Sequence, residues 1–181
     1  MIVREIANNI LHRYMSIGTN WLLFSYMLAI LFTIVLVKTG KKRGLSASRC
    51  ITIILLFFYL FAVCLSTVIV RPRNIYRELN LYPFWSWMYV ISGSRYMMRQ
   101  VIENILMLMP IGFLMPFVDQ SKHYFIKTIG FGFAFSLGIE VLQYILKAGL
   151  FEIDDLINNT IGVILSCYIA TMCKKVIIWL K

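Results

Sequence analysis

The sequence predicts an all-α membrane protein: a bundle of about five transmembrane helices, with an N-terminal interfacial amphipathic helix and an aromatic, arginine-rich interfacial loop. Of the 181 residues, 60% are hydrophobic and only 14% charged. A soluble domain of this length has nowhere to bury so much apolar surface, so lipid must be its solvent. Uncharged runs long enough to cross a bilayer recur along the chain. The 18 Lys and Arg gather mainly in the links between them. There the net charge of +10 sets topology and lipid contact, so membrane lipids are the expected partner and nucleic acid is not.

Residues 2–14 place Ile2, Val3, Ile6, Ala7, Ile10, Leu11 and Tyr14 on one half of a helical wheel. Arg4, Glu5, Asn8, Asn9, His12 and Arg13 fall on the other half, the pattern of a helix lying in the interface. It does not read as a signal peptide, because it contains an acid and no small-residue cleavage site follows it. The first span is 21–37, followed by a basic loop with Lys38, Lys41, Lys42, Arg43 and Arg49. The second is 50–70, 21 residues without a charge. Neither carries chemistry, so 1–70 reads as an interfacial helix plus two scaffold helices, and 71–175 as the unit that holds the site.

Residues 71–100 contain Arg71, Arg73, Arg77, Arg95 and Arg99 against one acid, Glu78. The run LYPFWSWMYV (81–90) is too short to span and suits an interfacial or re-entrant piece. One reading is an aromatic belt with arginines snorkelling to headgroups. The other is a basic, aromatic-lined mouth for an anionic headgroup. The third span, 101–118, carries Glu103, Asn104, Pro110 and Pro116, and a kink is expected at Pro110. The fourth, 128–146, sets Gly132, Ser136 and Glu140 four apart on one face, with Gln143 on the next ridge. The fifth, 156–173, follows Asp154 and Asp155 and ends in Lys174 and Lys175.

Alternating direction puts the start of the third span, the end of the fourth and the start of the fifth in one leaflet. Glu103 and Asn104 then lie in the first turn of the third span, and Glu140 about 10 Å below the end of the fourth. Asp155 and Asn159 share a face of the fifth. The bland readings are an N-cap for Asp154 or Asp155, interhelical hydrogen bonds for the amides, and a local Arg99–Glu103 pair. Glu140 has no local partner, and an intramembrane carboxylate marks a functional site by default. Arg77, Asn80, Arg95, Arg99, Glu103, Asn104, Glu140, Gln143, Asp155 and Asn159 are therefore the expected ligand-binding residues.

Cys50, Cys64, Cys167 and Cys173 lie in or beside apolar segments and read as buried small hydrophobes. His12 and His123 are far apart, and no HExxH, P-loop, dinucleotide glycines or G-x-S-x-G occurs. No metal or cofactor is expected, and metalloenzyme, NTPase and serine-hydrolase chemistry is disfavoured. With five spans, ten Lys and Arg lie on one side and eight on the other. That puts the C-terminus in the cytoplasm, and the 71–100 loop and 147–155 turn outside the plasma membrane.

Spaced motifs between 77 and 162 resemble the VanZ-like integral membrane proteins. They are NLYPF at 80–84; Asn104, Pro110, Gly112 and Phe113 in an N-x-x-x-x-x-P-x-G-F core; Glu140 with Gln143; and Asp155, Asn159, Thr160 and Gly162 in D-x-x-x-N-T-x-G. Glu152 stands where the pattern would place Asp. The resemblance implies a VanZ-like domain over 71–175, with the NLYPF loop outside and the last basic segment inside. It also implies a cell-envelope protein linked to resistance to the lipoglycopeptide teicoplanin.

Three functions follow. The first is non-enzymatic: the arginines and aromatics bind an anionic amphiphile, a polyprenyl-linked cell-wall precursor or the lipoglycopeptide itself. The second is a membrane-embedded enzyme acting on a lipid-linked envelope substrate, with Glu140 and Asp155 as acid and base. The third is a carrier, against which the absence of an internal repeat and the one-leaflet placement of polar residues both argue.

Overall fold

The computed structural model describes residues 31–179 except 37, 41 and 43, with only the backbone described for 176–179. The expected interfacial helix at 2–14 and most of the first span lie outside the described residues. The described chain is nearly all helix, and four helices are long and apolar enough to cross a membrane: Ala47–Ile69, Arg95–Val118, Tyr124–Leu146 and Ile153–Lys175. The protein is an all-α, multi-pass membrane protein. Its chain divides into two compact units, Met1–Val70 and Arg71–Lys181.

In the first unit a short apolar helix, α1 (Leu31–Gly40), precedes α2 (Ala47–Cys64). Gly44 makes the turn between them at φ +66°, a conformation that costs glycine nothing. The Ser46 side chain caps α2 by accepting the Arg49 N–H, 3.4 Å away. Phe32 of α1 stacks on Phe57 of α2 with centroids 3.7 Å apart. The last turn of the span widens into a π-helical segment, Leu65–Ile69. Leu56, Val63, Leu65 and Val68 are buried, while Ile51 and Leu55 face outward, as hydrocarbon permits.

The second unit contains β1 (Leu79–Asn80), α3 (Trp85–Ile91), α4 (Arg95–Val118), α5 (Tyr124–Leu146), β2 (Phe151–Glu152) and α6 (Ile153–Trp179). The helix α6 is its axis, with its largest contact against α4 and its next against α5. The backbones approach closely because the meeting points are glycines. A Cβ at Gly162 would overlap the Ile105 carbonyl oxygen, and one at Gly112 would overlap Ser166 and the Val163 carbonyl. This is small-residue packing of the kind that brings helices together where no hydrophobic effect operates between them. Leu108, Ile111, Val163, Cys167 and Ala170 fill the fully buried core. The four cysteines are free; Cys167 is buried, and Cys173, expected to be buried, is exposed.

The helix ends are set locally. Ser94 caps α4 by accepting the Met97 N–H. Lys147 closes α5 in the left-handed region at φ 55°. Pro110 and Pro116 both sit inside α4, which runs on through them. The loop from 71 folds back so that β1 pairs in parallel with β2, Leu79 opposite Phe151 and Asn80 opposite Glu152. The following helix α3 is seven residues long and lies outside the spanning segments. Tyr82 before it and Ile91 at its end are 80% and 85% exposed, so the described residues of this unit leave an apolar edge uncovered.

Two expected boundaries shift. Helix α4 begins at Arg95 rather than 101, so Glu103 and Asn104 lie in its third turn, not its first. Helix α6 begins at Ile153 and takes both aspartates into its first turn.

Candidate functional site

The head of α6 reads DDLINN from Asp154 to Asn159. Four-residue spacing makes two ridges of it, Asp154 with Asn158 and Asp155 with Asn159, about 100° apart around the helix. The two ridges serve different neighbours.

The first ridge holds the short helix α3. Asp154 is 1% exposed. Its carboxylate accepts hydrogen bonds from the Phe84 N–H, from the Ser86 N–H at 2.8 Å and from the Ser86 hydroxyl at 2.6 Å. Helix α3 has no capping side chain of its own, because Phe84, in left-handed geometry at φ 63°, occupies its N-cap. Asp154 thus caps α3 from another helix, where the sequence suggests a cap for α6. Asn158 extends the clamp by accepting the Trp87 indole N–H at 2.9 Å.

The second ridge faces inward. Asp155 accepts from the Asn104 amide of α4. Asn159, fully buried, donates to the Ser136 hydroxyl of α5 at 2.9 Å. One turn from Ser136, Glu140 is 2% exposed and accepts the Glu152 backbone N–H at 3.0 Å. Glu152 is held in place by the β1–β2 pair. Three spanning helices and one loop bridge therefore bring Asn104, Ser136, Glu140, Glu152, Asp155 and Asn159 to one end of the unit.

The counter-charge comes from Arg71, which was not among the expected site residues. Its charge reaches Glu140, Glu152 and Asp155. The approach crosses Gly149, where a Cβ would stand 3.1 Å from Arg71 Nη1 and 3.4 Å from Gln143 Oε1. Gln143 is buried beside it. Glu152 lies outside the spans, and its carboxyl is raised to about 7, first by burial and then by the Asp155 carboxylate, with Arg71 opposing.

The other expected residues sit around this cluster or apart from it. Arg77 donates to the Ile145 carbonyl at 3.4 Å and lies 5.8 Å over the Tyr144 ring. Lys147 donates to the Ile75 carbonyl at 3.1 Å. Both therefore flank the end of α5, within two turns of Glu140. The Asn80 side chain accepts the Tyr82 N–H, and its backbone pairs opposite Glu152. Glu103 forms the local pair with Arg99 at 2.9 Å, its bland reading. Arg95 is exposed in the first turn of α4. Among the described residues no group of His, Cys, Asp or Glu is placed to hold a metal ion.

Fold and site define a multi-pass α-helical membrane protein with an acid–amide–arginine cluster shared by three spans. It belongs to the VanZ/LLP1 family, whose model matches residues 24–174. Protein VanZ of Enterococcus faecium is 30% identical over 121 residues, which are 67% of this chain and 68% of that one. No solved structure matches the chain.

Proposed function

We propose that this protein binds the anionic head group of an envelope amphiphile, a polyprenyl-linked cell-wall precursor or a lipoglycopeptide, and so alters glycopeptide susceptibility. One observation carries the reading: Arg71, Arg77 and Lys147 converge on the end of α5, next to the cluster where polar side chains of three spans meet. A guanidinium suits phosphate and carboxylate because its planar fork donates two parallel hydrogen bonds. The aromatic, uncovered edge at Tyr82 and Ile91 suits the adjoining acyl chain. The charge count and the family pattern both favour the outer face for this end.

The test is glycopeptide susceptibility in cells expressing wild type, Arg77→Ala or Arg95→Ala at matched membrane levels, alongside binding of a short-chain phosphatidylglycerol to the purified proteins. Loss of both effects in Arg77→Ala is the expected outcome. Undiminished binding and resistance in both variants would sink the proposal.

A further inference from the structure

The cluster beneath the basic rim has too many acceptors for its donors. Among the described residues, Arg71 is the cation whose charge reaches Glu140, Glu152 and Asp155. Each carboxylate offers about four acceptor positions. The Glu152 N–H and the Asn104 amide fill one each. A second observation is independent of charge. Asn159 is fully buried, and its carbonyl oxygen Oδ1 has no hydrogen-bond partner. Its amide nitrogen is tied to Ser136, one turn from Glu140, and its backbone is one turn from Asp155. The Asn159 side chain therefore sits one turn from Glu140 along α5 and one turn from Asp155 along α6 with an acceptor to spare, and buried acceptors without partners are rare in native proteins.

We infer that the ligand bound at this site is an amphiphile carrying a primary ammonium beside its phosphoryl group, the ammonium seated among Glu140, Glu152, Asp155 and Asn159. The inference rests on the head-group reading above and names the chemistry of the ligand. An ammonium supplies a positive charge and three N–H donors, which is what surplus carboxylates and an orphan carbonyl lack. A quaternary ammonium has no N–H to give and is held by aromatic faces, not by carbonyl and carboxylate oxygens. The phosphoryl group meets Arg77 and Lys147 at the end of α5, so one zwitterionic head group spans both halves of the site.

The experiment titrates the purified full-length protein, in phosphate-free detergent, with four short-chain lipids differing only in the head-group amine: phosphatidylethanolamine, its N-methyl and N,N-dimethyl forms, and phosphatidylcholine. Phosphatidylglycerol and free phosphoethanolamine complete the set, and Trp85 and Trp87 fluorescence reads binding. Affinity should fall stepwise with methylation, by roughly tenfold in all. Glu140→Gln and Glu152→Gln, each shown to be folded by circular dichroism, should flatten that series. Equal affinity along the methylation series in wild type overturns the inference with no need of a variant, and so does a series that persists in both variants. Free phosphoethanolamine binding as tightly as the lipid would overturn the lipid assignment. Phosphatidylglycerol binding that depends on Arg77 without any amine preference would leave the head-group reading standing and the ammonium refuted. No binding by any lipid would end both.

Discussion

Asp154 and Asp155 are neighbours in the chain and hold different parts of the molecule. Asp154 accepts three hydrogen bonds from Phe84 and Ser86 and ties down the short helix α3, whereas Asp155 accepts from Asn104 and joins two membrane spans. A helix turns about 100° per residue, so two like residues in sequence are given unlike duties. One holds a short helix in place and the other belongs to the acid–amide cluster.

Asp154→Ala is therefore expected to be the more destabilising substitution. It strips three donors of their shared acceptor and leaves α3 uncapped, a loss of about 2–4 kcal/mol. Thermal unfolding of the purified protein should show it, and an aqueous quencher should reach Trp85 and Trp87 more readily. Asp155→Ala should leave quenching unchanged and weaken ligand binding. Equal quenching in wild type and Asp154→Ala would remove the clamp from the account.

Gly162→Ala should cost about 1–3 kcal/mol, because its methyl group would overlap the Ile105 carbonyl and push α4 from α6. Gly138→Ala is the control. Its Cβ meets nothing within 4 Å, so the change should stabilise by up to about 1 kcal/mol. A pair of unfolding curves separates the two, and similar effects at both positions would contradict the close α4–α6 contact.

Glu152 predicts a pH dependence of stability. Its carboxyl rises from 4.5 in the unfolded chain to about 7, so the native state holds the proton more tightly. Its stabilising contribution is complete below pH 4.5 and is lost as pH climbs through about 7, at most about 3 kcal/mol. The melting temperature should fall over that interval in wild type, and Glu152→Gln should flatten the decline. An unchanged slope in the variant would place the titration elsewhere.

The spanning helices were legible because long uncharged runs have few alternatives. Hydropathy marks where a helix enters hydrocarbon, not where it begins, which is why α4 starts six residues before 101. Arg95 and Arg99 are good helical residues whose charge hides the start of the helix from a hydropathy reading. Pairing residues by leaflet brought Asn104, Glu140, Asp155 and Asn159 to the same end without contact information. Arg71 was not legible as a site residue. In a charge count it is one of five loop arginines, and only the fold-back that pairs Asn80 with Glu152 and the space over Gly149 bring it to the carboxylates. The i, i+4 repeat inside DDLINN was the available signal for the Asp154 clamp, since a lone N-cap needs no matching Asn158.

The central claim is that polar side chains from separate spans form one site, and a double-mutant cycle across Asn104 and Asp155 tests it most directly. Unfolding free energies of wild type, Asn104→Ala, Asp155→Ala and the double variant should give a coupling of about 1–2 kcal/mol, the upper range for interhelical hydrogen bonds in membranes. Strict additivity of the two single changes would mean that α4 and α6 do not meet through these groups, and the site would have no common floor.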